Sequence, residues 1–192
     1  MSATEEKYLN KLPGIIEIVK DPGTLTTIAE DFANAEAVKT EIDALTFFRL
    51  ASVTDLQVED DYSDILKVET DDNGIIYSSA NEVVKVTGNY YEIGDPAPIA
   101  EMTGKQIVNG IDNQIVGSKI GSKEMPKLIV RITSALAGGK TKQVYVRDTN
   151  FVGQLINGFL DVNRAGDLPN SPFEFEGNKG GDIFTYTDDL PA

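Results

Sequence analysis

Apolar residues recur along this chain in two periods, and the change from one to the other falls at about residue 47. Between Leu25 and Leu45 the residues Ile28, Ala29, Phe32, Ala35, Val38, Ile42 and Leu45 are spaced by threes and fours, which predicts an amphipathic helix started by Thr24. The Thr-rich start and the Phe47-Phe48 pair leave strands as the alternative. Ahead of this stretch, Pro13-Gly14 and Asp21-Pro22-Gly23 bracket Ile15-Ile16-Glu17-Ile18-Val19, which predicts an arm with one short strand.

From Phe47 the period is two, with turn signals close together. Phe48 to Val53 and Leu56 to Glu59 read as strands, followed by Ile65 to Thr70, then Asp71-Asp72-Asn73-Gly74, then Ile75 to Ser79. Asn-Gly between β-forming runs signals a hairpin, because both central residues of a type I′ turn need positive φ. Val83 to Thr87 is a further strand, with Gly88-Asn89 as the bend into Tyr90-Tyr91-Glu92-Ile93. Residues 47 to 93 thus predict an antiparallel meander.

Asp95-Pro96 predicts a helix start, with Asp as N-cap and Pro in the first turn, running through Ala97 to Met102 and stopped by Gly104. Residues 105 to 126 read as an exposed loop or a pair of weak strands. Leu128 to Ile132 and Gln143 to Arg147 form the arms of a hairpin turning at Gly138-Gly139. Phe151, Val152, Leu155, Ile156, Phe159 and Leu160 share one helical face, although Gly153 and Gly158 each weaken such a helix by about 1 kcal/mol. Phe173 to Glu176 and Ile183 to Tyr186 predict a last hairpin or strand pair.

Composition narrows the chemistry. The 192 residues suit one domain, divided here into a region over 1–46 with an arm and a possible helix, and a β domain over 47–192. There is no Cys, His or Trp, which removes disulfides, thiolate nucleophiles, imidazole bases and zinc sites built from Cys or His. No cofactor is expected, and an enzyme is not. Without a basic n-region leading into an apolar run, and without a run of membrane-spanning length, the expectation is a soluble protein of the cytosol with no membrane partner. The net charge of −14 argues against a nucleic-acid clamp. It is unevenly spread: Asp55 to Glu92 holds ten acids against two lysines, while Lys119 to Arg147 holds seven bases against one acid. Such blocks either neutralise each other within one fold or meet between copies.

Four local patterns imitate sites. Gly139-Lys140-Thr141 ends like a phosphate loop, but Ser134 stands where its first Gly belongs and a strand follows instead of a helix. Glu69 to Gly74 imitates the front of a calcium loop, but the twelfth position is Ala80. Glu59-Asp60-Asp61 with Asp64 could gather carboxylates, yet neighbours in a strand point to opposite faces. Tyr90 and Tyr91 read as packing rather than a stacking platform. No catalytic, metal or cofactor-binding residue is assigned.

The stretch from Phe48 to Gly104, FRLASVTDLQVEDDYSDILKVETDDNGIIYSSANEVVKVTGNYYEIGDPAPIAEMTG, runs strand, acidic loop, strand, Asp-Asn-Gly, two strands closing on YYEIGD, then a short helix. In this order it resembles the major tail tube proteins of long-tailed, siphovirus-type bacteriophages, over about 57 residues. The resemblance implies a mainly β fold of two packed antiparallel sheets, sandwich- or barrel-like, with a flanking short helix and extended arms. It implies a structural virion protein whose rings, usually hexameric, stack into a tube that conducts viral DNA without binding it specifically. The partners implied are other copies, a tape measure and a tail terminator, with assembly in the host cytoplasm. The two charge blocks supply unlike surfaces for such stacking, so Asp60, Asp61, Asp64, Lys123, Lys127, Arg131, Lys140 and Lys142 are the candidate self-assembly contacts. The alternative is another β-sandwich virion component, such as a capsid decoration or tail-associated binding protein. A carboxylate-dependent enzyme is the third reading.

Overall fold

The computed structural model describes residues 14–50, 53–61, 65–69, 75–79, 83–90, 97–111, 114–117, 124–136, 139–152, 171–178 and 181–187. The protein is mainly β. In chain order come β1 (Ile15–Lys20), α1 (Ala35–Asp43), β2 (Phe48–Arg49), β3 (Val53–Asp61), β4 (Ile65–Glu69), β5 (Ile75–Ser79) and β6 (Val83–Tyr90). Then follow α2 (Ala97–Thr103), β7 (Gln106–Asn109), β8 (Gln114–Gly117), β9 (Leu128–Ala135), β10 (Thr141–Phe151), β11 (Ser171–Gly177) and β12 (Ile183–Thr187).

Eight strands form one antiparallel sheet in the order β2-β1-β9-β10-β11-β6-β3, with β12 also pairing β10. Among the described residues a second large sheet packed on it is not seen; β4-β5 and β7-β8 are separate two-stranded hairpins. The sheet instead curls around its own core. One buried cluster joins Ile16 and Ile18 of β1, Val130 and Ile132 of β9, Val84 and Val86 of β6, and Phe173 and Phe175 of β11. These strands stand far apart in the sheet order, so only curvature lets their side chains meet. At Gly14, just before β1, a Cβ would come within 2.9 Å of Leu56 on β3, the far end strand, and 3.3 Å of Ile132. Met102 of α2 is fully buried in the same cluster, and the helix packs on β1 and β2.

The other face of the sheet carries a second core of Val19, Ile129, Tyr145 and Phe184, covered by Val38 and Ile42 of α1. The unbroken run Leu128-Ile129-Val130 is therefore buried on both faces, as a central strand requires. Tyr145 and Phe184 stack with centroids 4.7 Å apart.

Two bulges shape this curl. The register of β9 against β10 shifts between Val146 and Thr149, and that of β3 against β6 between Thr54 and Gln57. Each carries an aspartate with left-handed backbone, Asp148 at φ 53° and Asp55 at φ 55°. An extra residue bends its strand and sharpens the twist. Beyond its bulge β10 pairs β11 through Thr149, Asn150 and Phe151, whereas before it Lys142 to Val146 pair β12.

Several expected elements are corrected. The helix expected over 25–45 is limited to Ala35–Asp43, because side chains satisfy the backbone ahead of it. Asn34 Oδ1 accepts the Ala29 N–H at 2.7 Å and its Nδ2 donates to the Thr27 carbonyl at 2.8 Å. The Thr26 N–H and hydroxyl both donate to Glu41, and the Ile28 N–H donates to Asp182. The meander is interrupted: β6 pairs β3 and β11, leaving β4-β5 as an excursion. Gly88-Asn89 is not a bend, since β6 runs through it to Tyr90 with Gly88 opposite Phe173. The final two strands pair with β10, not with each other. Phe151 ends β10, and the helix expected onward from it otherwise falls outside the described residues after Val152. The Asp71 to Gly74 turn, Asp95-Pro96 and Tyr91 also lie outside them. The helix at Ala97–Thr103, ended by Gly104 at φ 64°, the weak pair at 106–117 and the hairpin over 128–147 are as the sequence predicts.

Candidate assembly surfaces

Alternation along β11 sends Phe173 and Phe175 into the core and turns Glu174 and Glu176 outward. The neighbouring strands add Lys85 of β6, in register between Glu59 of β3 and Glu176 of β11. Lys85 Nζ also reaches Glu174 Oε1 at 3.5 Å. Asp55, whose carboxylate accepts from Asn89 Nδ2 at 2.9 Å, is exposed at the bulge of β3. Asp60 and Asp61 end that strand, opposite Val84 and Val83. With Asp55, Glu59, Glu174 and Glu176 around Lys85, the outer face of this end of the sheet is mostly acidic. Such a surface repels phosphates instead of releasing their counterions.

The basic candidates have partners within the chain. Lys127 Nζ lies 2.7 Å from Asp148 Oδ1, and that hydrogen bond and charge raise the ammonium pKa. Arg131 Nε lies 2.8 Å from Glu17 Oε2 and its Nη1 2.9 Å from Asp43 Oδ1, with the guanidinium over the Phe47 ring. Burial works to lower the Arg131 pKa, but Glu17 and Asp43 together raise it. Asp43 also receives Lys39 Nζ and the Tyr145 hydroxyl. Its partial burial pushes the carboxyl up, yet the hydrogen bonds from Lys39, Tyr145 and Arg131 outweigh this and leave it below the ordinary carboxylate range. This constellation fastens α1 to the sheet.

Lys140 lies in the β9-β10 turn, where its carbonyl accepts the Leu136 N–H at 2.7 Å. Gly139 before it has φ 79°, and β10 follows Lys140, so the phosphate-loop imitation is a hairpin turn. Lys142 sits half-buried on β10 between Ser134 and Thr187. Asp64 and Lys123 lie outside the described residues. Among the described residues no group of three or more acids could hold a metal ion. None of their helices is long and apolar enough to cross a membrane.

Two features escape sequence reasoning. One is the buried Arg147, whose Nη1 donates to the Thr26 carbonyl at 2.6 Å and to Asp182 Oδ2 at 2.8 Å, tying the segment ahead of α1 across the second core. No local signal links residues so far apart in the chain. The other is β7-β8, where Val108, Ile111 and Ile115 are all exposed. The signal available was the apolar pairs Ile107-Val108 and Ile115-Val116, which put apolar residues on both faces of a short hairpin.

No protein-family model and no curated protein matches the sequence. Among solved structures, the chain is similar to one from an extracellular contractile injection system, the PVC sheath-tube complex in its extended state. That superposition has 8% identity and a TM-score of 0.45, covering 97% of this chain and 98% of the other. It is also similar to a chain of the PVC sheath/tube terminator in the extended state, at 7% identity and a TM-score of 0.42, over 93% and 96% of the two chains. A third likeness is to the tube-terminating cap of the anti-feeding prophage, at 9% identity and a TM-score of 0.41, over 97% and 99%.

Proposed function

We propose that this protein is a structural virion protein, a subunit of a phage-tail-type tube that self-assembles into stacked rings and forms the conduit for viral DNA. The observation that carries the reading is the open, curled sheet: its end strands β2 and β3 each pair with one neighbour and not with each other among the described residues. Unpaired edges are a liability that a ring of identical neighbours removes. The order of elements from Phe48 to Gly104 supports the same reading through its resemblance to tail tube proteins. In this assembly hexameric rings contact a tape measure and a terminator, and the acidic face with Asp55, Glu59, Glu174 and Glu176 suits a bore through which DNA slides without being held. The protein belongs to the tail and assembles in the host cytoplasm.

Negative-stain microscopy and sedimentation of the purified chain over a range of concentrations test this. Rings or tubes are the expected products. A chain that remains monomeric throughout overturns the reading. A small closed oligomer that coats a preassembled particle and never polymerises alone points to a decoration or tail-associated binding protein instead.

A further inference from the structure

Asn-Gly occurs at 73–74, 109–110 and 157–158, and the second of these lies among the described residues. Asn109 is the last residue of β7, opposite Gln114 of β8, and Gly110 follows it outside the strand; both are exposed. The other asparagines among the described residues are tied down, and each is followed by a residue with a side chain. Asn34 accepts the Ala29 N–H, Asn89 donates to Asp55, Asn150 donates to the Pro126 carbonyl, and Asn178 donates to the Asp148 carbonyl and to Asn150. No such side-chain tie holds Asn109 among the described residues.

That combination suits an intramolecular reaction. Asn109 Cγ and the Gly110 nitrogen are placed by the covalent chain to close a five-membered ring. Closure needs the backbone at Asn109 to leave its extended conformation, and Gly110 has no Cβ to block the approach. A two-stranded hairpin alone is marginal in water, so its closing rung opens readily. Here β7 and β8 pair with each other and with no further strand among the described residues.

We propose that Asn109 is a self-modifying site, converted through a cyclic imide with Gly110 to isoaspartate and aspartate. The deprotonated Gly110 nitrogen bonds to Asn109 Cγ, the Cγ–Nδ2 bond breaks, and the departing amine takes up a proton and leaves as ammonia. Water then adds to one of the two ring carbonyls and breaks its bond to the Gly110 nitrogen. Opening at Cγ gives aspartate; opening at the main-chain carbonyl routes the chain through the side chain, one methylene longer, and gives isoaspartate. Water is the sole co-reactant. Either product adds a carboxylate to a hairpin whose one charge between Gln106 and Gly117 is Asp112. The extra methylene breaks the register of Asn109 with Gln114, so the hairpin that carries the exposed Val108, Ile111 and Ile115 loosens with age. The inference stands independently of the assembly reading.

Peptide mass spectrometry of the purified full chain, held at physiological temperature and mildly alkaline pH and sampled over weeks, tests this, with isoaspartate assayed by enzymatic methylation. The peptide containing Asn109 should become heavier by the replacement of NH2 with OH, with isoaspartate as the larger product. Conversion should be at least about tenfold faster than at Asn150 or Asn178, and Gly110→Val should slow it by about tenfold or more. The wild-type chain in urea gives a second reference that needs no variant: Asn109 in the folded chain should convert within about tenfold of the unfolded rate. A folded chain that keeps its amide while the unfolded chain loses it overturns the proposal, because the hairpin is then closed to attack. Aspartate without isoaspartate, or a rate that Gly110→Val leaves unchanged, overturns the cyclic imide.

Discussion

The Tyr145 hydroxyl lies 3.0 Å from Asp43 Oδ1, joining the middle of β10 to the last residue of α1. Burial, then the charge of Asp43 beside it, push the phenol pKa well above its ordinary value, so it stays a neutral donor. Tyr145→Phe keeps the stack on Phe184 and removes this hydrogen bond, so it should cost about 1 kcal/mol in urea unfolding. Tyr145→Ala also loses the ring and should cost about 3–5 kcal/mol. Equal losses in the two variants would show that packing contributes nothing beyond the hydroxyl.

The same carboxylate makes stability depend on pH. Asp43 is held below 3.8 in the folded chain, so its contribution is full above that value and is lost as pH falls through the lower folded value. Wild type should therefore melt above Asp43→Asn at neutral pH, with the gap closing in acid. A gap that stays constant down to pH of about 2 would contradict the assignment.

Arg147 is held by Asp182 at 2.8 Å, and the same oxygen, Oδ2, accepts the Ile28 N–H at 3.2 Å. Asp182→Ala leaves a buried guanidinium without its counter-charge and should cost about 3–5 kcal/mol by denaturant titration. Amide exchange at Ile28 should accelerate at the same time, because the segment ahead of α1 loses its tie to the sheet.

Close approach at the start of β12 gives a steric prediction. A Cβ on Gly181 would stand 2.6 Å from the Arg147 carbonyl and 3.1 Å from both the Asn178 carbonyl and Asp148 Cβ. Backbone must then move, so Gly181→Ala should cost about 1–3 kcal/mol in thermal or denaturant unfolding. Gly23→Ala provides a contrast: nothing lies near its Cβ, and its φ of 70° is the sole source of strain.

Charge complementarity between copies should appear in assembly rather than in folding. Asp60→Lys/Asp61→Lys should weaken ring formation in sedimentation. Reversal of Lys140 and Lys142 to Glu in the same chain should restore it, and no recovery would show that these two blocks do not meet. Salt well above 0.15 M, where screening acts within about 8 Å, should weaken wild-type assembly in the same direction. Indifference to salt would remove electrostatics from the contact.

The elements legible in the sequence were those whose cause is local. The 3.6-residue period of Val38 and Ile42 belongs to a real helix, α2 ends at the glycine expected of it, and Gly139 turns a hairpin between two alternating strands. Thr24 to Asn34 has the same period and is not helical, because Glu41, Asp182 and its own Asn34 take its backbone groups. A long-range acceptor leaves no trace in a local window. The partners of Lys127 and Arg131 were hidden likewise: Asp148, Glu17 and Asp43 lie outside the acidic block that composition emphasises.

By itself, the sequence determined that this protein is built from short antiparallel strands, that it has none of the Cys or His chemistry, and that its charges lie in opposed blocks. Those properties follow from residue type and spacing alone. Tertiary structure decided which strands neighbour one another, where the sheet bends, and which apolar residues remain bare. Strand pairing joins residues by backbone hydrogen bonds that every residue but proline can make, so side-chain pattern chooses a strand's face and not its neighbour.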